Sequence, residues 1–330
     1  MKHSRLMFWL VAIIVLGPSF AGAQEQGYPF RLSNFKIEFY GGYAPLIPEH
    51  FNTLADYEES YLQFYYGQRY ASLGPGYTVT TERTGDDRFR PLTKAVLWGG
   101  RIHYQLSPTL SLSFGVQYMK GSQDSRVGMN VTVLDGGSSF LTDKYENTGF
   151  GLSATALLPQ LGAHFGWDLT PFFRPGIFII FGPMFVESRA VSNRHMMKAG
   201  PAGYTSDVVE TYEMKGRKTS LTGELGGSLH IRLAKFLDFF TDGSYIFRGT
   251  PNLSGPGSSR TVIKDSVSGE SSTSSNWEGQ WNLAPYDTTT SWGRFKGTVA
   301  NNAYEWSWGF KRFDFDLSGF QLKAGIAIRL

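Results

Sequence analysis

The sequence predicts an all-β protein, an eight-stranded antiparallel up-and-down transmembrane β-barrel with long extracellular loops, one of them helical. The first observation is a period-two alternation of apolar and polar residues over segments of about 9–11 residues, the length of a tilted strand that crosses a bilayer. The second is that short and long connections alternate between these segments. The third is that a chain with 15% aromatic residues has a mean hydropathy of only −0.22.

The composition excludes several classes of protein. The chain has no cysteine, so disulfide frameworks and thiolate metal sites are excluded. Charged residues make up 18% of the chain and glycine 39 of its 330 residues, which is fewer charges and more glycine than average. A disordered chain would contain fewer aromatic residues, and a nucleic-acid-binding protein would be more basic. We therefore expect an ordered chain with no nucleic-acid partner.

Residues 1–23 have the pattern of a secretory signal peptide. Lys2 and Arg5 precede the apolar run 6–16, and the small residues 21–23 form an A-x-A cleavage site. The alternative is an N-terminal membrane anchor. Removal of the signal lowers the formal net charge from +3 to +1, because Lys2 and Arg5 leave with it. After residue 23 no apolar run reaches the ~18 residues of a transmembrane helix, so the domain 24–330 is expected to cross a membrane with strands.

Eight alternating segments follow in chain order, each with its apolar set facing outward. In the first, Phe35 and Ile37 alternate with Lys36 and Glu38. In the fifth, the run 177–181 is apolar on both faces, so its inward side stays open. The segments lie at 35–45, 96–105, 110–118, 149–169, 174–187, 221–233, 237–248 and 320–330.

Two irregularities interrupt this alternation. The outward parity changes between Leu158 and Leu161. Since Pro159 lacks the amide donor that a ladder needs, we predict a β-bulge there. A second change of parity falls at Ser318 and Gly319.

The connections sort into two kinds, and the sorting favours a barrel. Short turns lie at 107–109, 170–172 and 234–235, so both chain ends fall on the short-turn side. Short turns at one end and long loops at the other are typical of transmembrane barrels. A β-sandwich would also alternate, but its loops would not sort in this way. The long loops are predicted at about 44–93, 121–148, 188–217 and 249–312.

Four segments carry a resemblance to a known superfamily. They are FKIEFYGGYAP (35–45), LSPTLSLSFGVQY (106–118), LTPFFRPGIFIIFGP (169–183) and FQLKAGIAIRL (320–330). The chain resembles the eight-stranded outer-membrane β-barrels of the OmpA-, OmpX- and OmpW-like kind. The resemblance implies a bacterial outer-membrane location and contact with outer-membrane lipids and lipopolysaccharide. It also implies assembly by periplasmic chaperones and the barrel-insertion machinery. The final residue of that family is usually aromatic, whereas this chain ends in Leu330.

Outward aromatic residues are expected to form two belts, one at each bilayer interface. The alternative is an unordered scatter of strand aromatics. The long-loop belt would hold Tyr43, Trp98, Tyr118, Phe150 and Phe247, and the short-turn belt Phe35, Tyr104, Trp167 and Phe236.

Inward positions collect nearly equal numbers of basic and acidic residues. The interior of an eight-stranded barrel is only wide enough for side chains, and buried charges there need partners. We therefore predict a structural polar network in a side-chain-filled lumen. The alternative is a narrow polar channel or a transporter of small or hydrophobic solutes with ten or more strands. The network residues are Lys36, Glu38, Arg101, His103, His164, Glu224, His230, Arg232, Asp242 and Lys323, with Asp168, Asp238, Arg248 and Arg329 also inward.

The sequence predicts no enzyme, no cofactor and no metal site. The one local candidate for nucleophilic catalysis is Glu224, Ser228 and His230 on one face of one strand. A nucleophile needs its base within hydrogen-bond reach and a third group that orients the base, and spacing along one strand does not supply this. Modification of lipid A or phospholipid by such a set is the third alternative for function.

The long loops are expected to provide the specificity. Loop one contains a predicted helix from Pro48 to about Ala71, either a lid over the barrel mouth or a helix at the membrane surface. The stretches 78–81, 130–134 and 208–214 alternate and are predicted to extend hairpins above the membrane, whereas the serine-rich stretch 253–276 reads as mobile. We predict surface binding of an unknown extracellular ligand, or a role in envelope integrity. The candidate contact aromatics are Trp277, Trp281, Trp292, Trp306 and Trp308.

Overall fold

The computed structural model is an antiparallel β structure with one α-helix. It describes residues 34–45, 49–63, 66, 70, 73–248, 253–280, 282–290, 293–301, 311–312 and 318–330. The predicted signal peptide, residues 1–23, lies outside the described residues and stays a prediction. Every strand pair in the described part of the chain is antiparallel. The prediction of an all-β antiparallel fold is therefore confirmed.

Fourteen strands and the helix α1 follow one another along the described chain, and a short 3-10 helix spans Pro201–Gly203. The elements are β1 (Phe35–Pro45), α1 (Glu49–Leu62), β2 (Tyr77–Gly85), β3 (Lys94–Gln105), β4 (Leu110–Asp135), β5 (Ser138–Gly166), β6 (Phe173–Ala199), β7 (Thr205–Ala234), β8 (Leu237–Arg248), β9 (Ser254–Asp265), β10 (Gly269–Gln280), β11 (Asn282–Thr290), β12 (Gly293–Asn301), β13 (Lys311–Arg312) and β14 (Gly319–Arg329).

Eight strands pair in a closed ring, in the order β1, β3, β4, β5, β6, β7, β8, β14 and back to β1. Ile37 marks the closure, because it lies opposite Ile328 of the last strand on one side and Ile102 of β3 on the other. A closed ring gives the backbone donors and acceptors of its strands partners on both sides. The ring belongs to a sheet of eleven strands, and eight as the number of membrane-spanning strands stays a prediction.

Four neighbouring strands of the ring, β4 to β7, are 26 to 30 residues long and continue far beyond the ring. In this extension β2 pairs with β4, β9 pairs with β7, and β10 pairs with β9. We call the extension, residues 122–153 and 187–217 with β2, β9, β10 and α1, the crown.

Much of the sequence predicted to form long loops is instead strand in the crown, so that prediction is wrong in part. The segments 121–148 and 188–217 are largely strand, and the serine-rich stretch forms the hairpin β9–β10. Alternation in the stretches 78–81, 130–134 and 208–214 does mark strands, as predicted. Serine and threonine are tolerated in β9 and β10 because the ladders of β7 with β9 and of β9 with β10 supply their backbone hydrogen bonds. Ser259 and Ser275 pair at 3.0 Å between the two oxygens.

A two-glycine turn joins β4 to β5 at the tip of the crown. Gly136 and Gly137 have φ values of 56° and 90°. Positive φ at both central residues gives the turn whose twist matches the flanking strands, and glycine adopts it without a steric penalty.

The alternation of the ring segments matches the prediction. Val96 and Trp98 are 62% and 60% exposed, whereas their neighbour Leu97 is fully buried inside the ring. The structure also resolves the fifth segment, because Phe178 and Ile180 are buried inside.

The predicted β-bulge near Pro159 is wrong. Pro159 lies opposite Val116 in an unbroken register. The register shifts fall instead at Ser125/Val127 and Val133/Leu134 against β4 and at Asn147/Gly151 against β6. Leu158 is 1% exposed and points inward. The prediction failed because it placed the apolar residue Leu158 on the outside, whereas the interior at this height is itself apolar and Leu157 faces outward instead. Of the second parity change, Ser318, Gly319 and Phe320 are described, and Phe320 faces outward.

Phe150 is corrected for the same reason. It was predicted in the outward aromatic belt, but it has the same inward parity as Leu158 on β5 and is 2% exposed. There it packs on Phe89, with ring centroids 5.1 Å apart. Other belt residues do meet as neighbours outside the ring: Trp98 lies 5.1 Å from Tyr118 between ring centroids.

The helix α1 lies within the crown, and its residues Leu54, Ala55 and Leu62 are buried there. It also lies against β12, which pairs with β11 in a separate three-stranded sheet. In the part of the chain that the structure describes, no helix combines the length and the apolarity needed to cross a membrane.

Candidate functional site

The interior of the ring near its short-turn end holds a charged cluster centred on Glu38 of β1. One carboxylate oxygen of Glu38 lies 2.7 Å from Lys36 Nζ, and the other lies 3.0 Å from Arg101 Nε and 2.8 Å from His103 Nε2. His230 Nε2 is 3.8 Å from the same carboxylate. Neighbouring strands β1 and β3 and the more distant β7 thus meet at one buried acidic group.

Arg101 connects this cluster to the opposite wall. Its guanidinium also pairs with Asp242 of β8, and both side chains are 1% exposed. The rings of Tyr40, Phe178 and Phe240 lie 4.9, 5.5 and 5.8 Å from its central carbon. Arginine suits such a position because its planar guanidinium can both pair with carboxylates and stack on rings.

A second charged pair lies beside it. Lys323 of β14 pairs with Glu224 of β7, both buried. Gln160 donates a hydrogen bond of 3.3 Å to Glu224 and accepts one of 3.4 Å from the Tyr40 hydroxyl. The neutral polar residues Gln160 and Tyr40 were absent from the predicted network, although the inward parity of their strands could have identified them.

The remaining predicted network residues lie at the edges of these pairs. His164 Nε2 lies 2.8 Å from Ser113 Oγ, and its ring is 4.5 Å from that of His103. Arg232 lies opposite Asp238 in the register of β7 and β8, and Asp238 accepts hydrogen bonds of 3.1 and 2.7 Å from Arg329.

An apolar layer lies in the ring beyond the charged pairs. It consists of side chains that are at most 2% exposed and come from five strands of the ring, so no water-lined passage is evident among the described residues. They are Leu97, Met119, Leu158, Met184 and Ile246.

The helix α1 fills the crown above this layer. The carboxylate of Glu58 accepts hydrogen bonds from Ser192 (3.0 Å), Arg194 (3.0 and 2.6 Å) and Tyr145 (3.2 Å). Leu54 and Leu62 are buried against the inner face of the strands. The helix therefore packs inside the crown, nearer to the predicted lid than to a helix at the membrane surface.

Two further contacts join α1 to β2 and to the segment that precedes β3. Glu59 forms a two-pronged ion pair with Arg83 of β2, at 2.7 and 2.6 Å, and Asn52 exchanges two hydrogen bonds with the backbone of Leu92. Partial burial raises the pKa of Glu59. The hydrogen bonds from Arg83, Gln63 and the Phe89 amide, together with the charge of Arg83, outweigh that effect and leave the pKa below its ordinary value.

The candidate catalytic set is not assembled as a triad. Glu224 is engaged by Lys323 and Gln160, whereas the carboxylate that faces His230 is Glu38. Ser228 lies opposite Gly176 and Asp242 in the strand register. Within the described ranges no group of three His, Asp or Glu side chains has a geometry suited to a metal ion.

Of the predicted contact tryptophans, the structure describes Trp277. Its ring lies 5.6 Å from that of Tyr212 between centroids, at the junction of β10 and the crown wall. The other four, Trp281, Trp292, Trp306 and Trp308, lie outside the described residues.

Solved structures similar to this chain include two outer-membrane proteins. The chain is similar to the outer membrane protease OmpT from Escherichia coli, with 9% identity, 90% of this chain and 97% of that chain covered, and a TM-score of 0.28. It is also similar to the outer membrane protein OprG from Pseudomonas aeruginosa, with 11% identity, 89% and 94% covered, and a TM-score of 0.27. Likenesses at these TM-scores carry no argument about fold or function.

No protein-family model matches the chain, and no curated protein matches it. Membership of the OmpA-, OmpX- and OmpW-like superfamily therefore stays a prediction.

Proposed function

We propose that this chain is a bacterial outer-membrane β-barrel protein that acts through its crown, in surface binding or in envelope integrity. The observation that carries the proposal is the exterior of the ring, where large apolar side chains are exposed on strand after strand. Exposed apolar surface on this scale needs a partner, and a lipid bilayer covers a closed ring from all sides. The exposed residues include Phe39, Trp98, Ile102, Leu161, Phe181, Leu225, Phe239 and Leu322.

The exterior changes character where the ring becomes the crown. On β6 the outward residues pass from Phe181 and Phe185 to Glu187 and Arg189. On the outside of the crown Glu187 pairs with Arg217 at 3.1 Å and Arg189 with Glu213 at 2.6 Å, all part-exposed or exposed. Ion pairs on an outer surface are favoured in water rather than in hydrocarbon, which supports a membrane boundary at this level.

The filled interior favours binding over transport. Charged pairs and an apolar layer fill the ring, α1 fills the crown above them, and a channel would need a continuous polar path. The partners that we propose are outer-membrane lipids and lipopolysaccharide around the ring and an extracellular ligand at the crown. Periplasmic chaperones and the barrel-insertion machinery would assemble the chain.

Labelling of intact cells tests the orientation. Because the chain has no cysteine, single-cysteine variants report one position each. With a membrane-impermeant maleimide, Ser138→Cys at the crown tip should be labelled on intact cells, and Thr109→Cys at a short turn only after lysis. Labelling of both positions, or of the short turn alone, contradicts the orientation.

Function is tested on cells that lack the chain and on cells that carry a version with the crown shortened between Gly121 and Ala154. We expect loss of ligand adhesion, or increased entry of detergent and large antibiotics, in both. Unchanged adhesion and unchanged permeability in the deletion strain would argue against both roles.

A further inference from the structure

A cavity of about 260 Å³ lies in the crown between α1 and the inner face of four strands, β5, β6, β7 and β9. This volume is close to the lower limit for small-molecule sites. It is separate from the charged cluster at the short-turn end of the ring. Its walls are formed by side chains of α1 and by the inward-facing residues of the strands.

The walls are largely apolar and aromatic. Leu54 and Tyr57 come from the helix, and Phe150, Ala190 and Tyr212 from the strands. Aromatic rings on several sides of a small cavity provide both apolar contact and negative ring faces, and the latter attract cations.

The charged groups at one side of the cavity leave an acceptor available. All three nitrogens of Arg194 donate to carboxylates: Nε and Nη2 to Glu58, and Nη1 to Glu210 at 3.2 Å. Glu58 accepts from four donors and is 5% exposed, whereas the Glu210 side chain is 31% exposed. A carboxylate can accept several hydrogen bonds, so Glu210 has capacity left, and the three charges sum to −1.

We propose that this cavity binds a small organic cation, a protonated amine carried on an apolar or aromatic body of about ten heavy atoms. The ammonium group lies at Glu210, and the body packs between the rings of Tyr57, Phe150 and Tyr212. This inference specifies the class of ligand that the proposed surface-binding function would recognise. It rests on that proposed function only for the position of the cavity outside the cell.

Isothermal titration calorimetry on the full chain, folded in detergent micelles, tests the proposal with 2-phenylethylamine as the probe. Its neutral analogue 2-phenylethanol has the same shape without the charge. We expect the amine to bind about tenfold more tightly than the alcohol, the effect of a hydrogen bond to a charged group. Titration into empty micelles subtracts partitioning into detergent.

Two kinds of variant locate the binding. Glu210→Gln should weaken the amine about tenfold and leave the alcohol unchanged, while Glu213→Gln, on the outer face of the same strand, should change neither. Ala190→Phe and Thr261→Phe fill the cavity from two walls and should abolish binding of both compounds. Heat-modifiable gel mobility shows that each variant is folded.

The proposal is overturned if folded wild type binds neither compound, if the alcohol binds as tightly as the amine, or if Glu210→Gln and Glu213→Gln act alike. These outcomes are distinct from failure of the proposed function. Amine binding in micelles together with a wrong labelling pattern on cells would retain the cavity and reject the orientation.

Discussion

Arg101 is the residue on which the interior of the ring depends most. Its side chain is almost fully buried. It pairs with Glu38 of β1 and Asp242 of β8, two strands that are not adjacent in the ring. Removing one partner from a buried ion pair leaves an uncompensated charge, which costs far more than the pair itself contributes.

We therefore expect Arg101→Ala to lower the free energy of unfolding by about 3–5 kcal/mol. Urea unfolding in micelles, followed by loss of the folded gel band, measures it. Lys36→Ala is the matched control, because Lys36 also pairs with Glu38 but its side chain is 24% exposed at the ring mouth. Its loss should cost about 1 kcal/mol or less. Equal effects of the two variants would contradict a network centred on Arg101.

Glu59 gives a residue-level prediction in the crown that depends on pH. Its pKa is lowered in the folded chain, so its pairing with Arg83 stabilises the docked helix above the ordinary carboxyl pKa of about 4.3. That contribution is lost as the pH falls through the lowered value. Hydrogen exchange of residues 49–62, corrected for intrinsic rates, should therefore rise on acidification below about pH 4.

Two variants separate this effect from a general destabilisation of the fold at low pH. Glu59→Gln should remove the acid-induced rise in hydrogen exchange of α1 and should raise that exchange already at neutral pH. Glu213→Gln, on the outside of the crown, should leave the acid response of α1 intact. If Glu59→Gln retains the full response, another group is responsible.

At the scale of elements, β7 combines two environments in one strand. Its ring part has exposed leucines such as Leu225, 52% exposed, and its crown part has charged residues outside such as Lys215 and Arg217. The ladder with β6 continues through both parts of β7. The backbone pairing is therefore the same in the two environments, and only the outward side chains differ.

Leu225→Arg tests this division. An arginine facing lipid near the middle of a barrel strand costs about 2–4 kcal/mol, so folding into phospholipid vesicles should be impaired by that amount in a urea titration. Thr273→Arg, at an exposed position of the crown strand β10, should change stability by less than about 0.5 kcal/mol. A neutral effect of Leu225→Arg would mean that this face does not contact lipid.

At the scale of the whole molecule, the interior of the ring and the crown is obstructed at three successive levels. The charged pairs of Arg101 and Lys323, the apolar layer around Leu97 and Met119, and the helix α1 each fill the interior. Removing one level leaves the others in place.

Planar-bilayer recordings should therefore show no stable conductance steps, either for the intact chain or after deletion of residues 49–62. The deletion variant must retain heat-modifiable mobility for the comparison to hold. Stable steps in the intact chain would reverse the preference for binding over transport. Steps in the deletion variant alone would make α1 the gate of a channel.

The sequence by itself determined which face of β1, β3, β8 and β14 is outside. Side chains in these strands alternate between two media of opposite polarity, so the period-two pattern contains the answer. It also predicted the helix in loop one and the inward charges, because an amphipathic helix and inward-facing ionic residues have local signatures.

Only the tertiary structure decided where the alternation of inward and outward residues departs from the predicted parity, and which ion-pair partners the inward charges have. Leu158 and Phe150 face inward because the interior at their height is apolar and packed under α1. Alternation states that successive residues face opposite sides, but which side is the interior depends on register shifts and on the element that fills it. For the same reason the pairing of Glu58 with Arg194, 136 residues away, and the cavity beside them arise only when helix and strands come together.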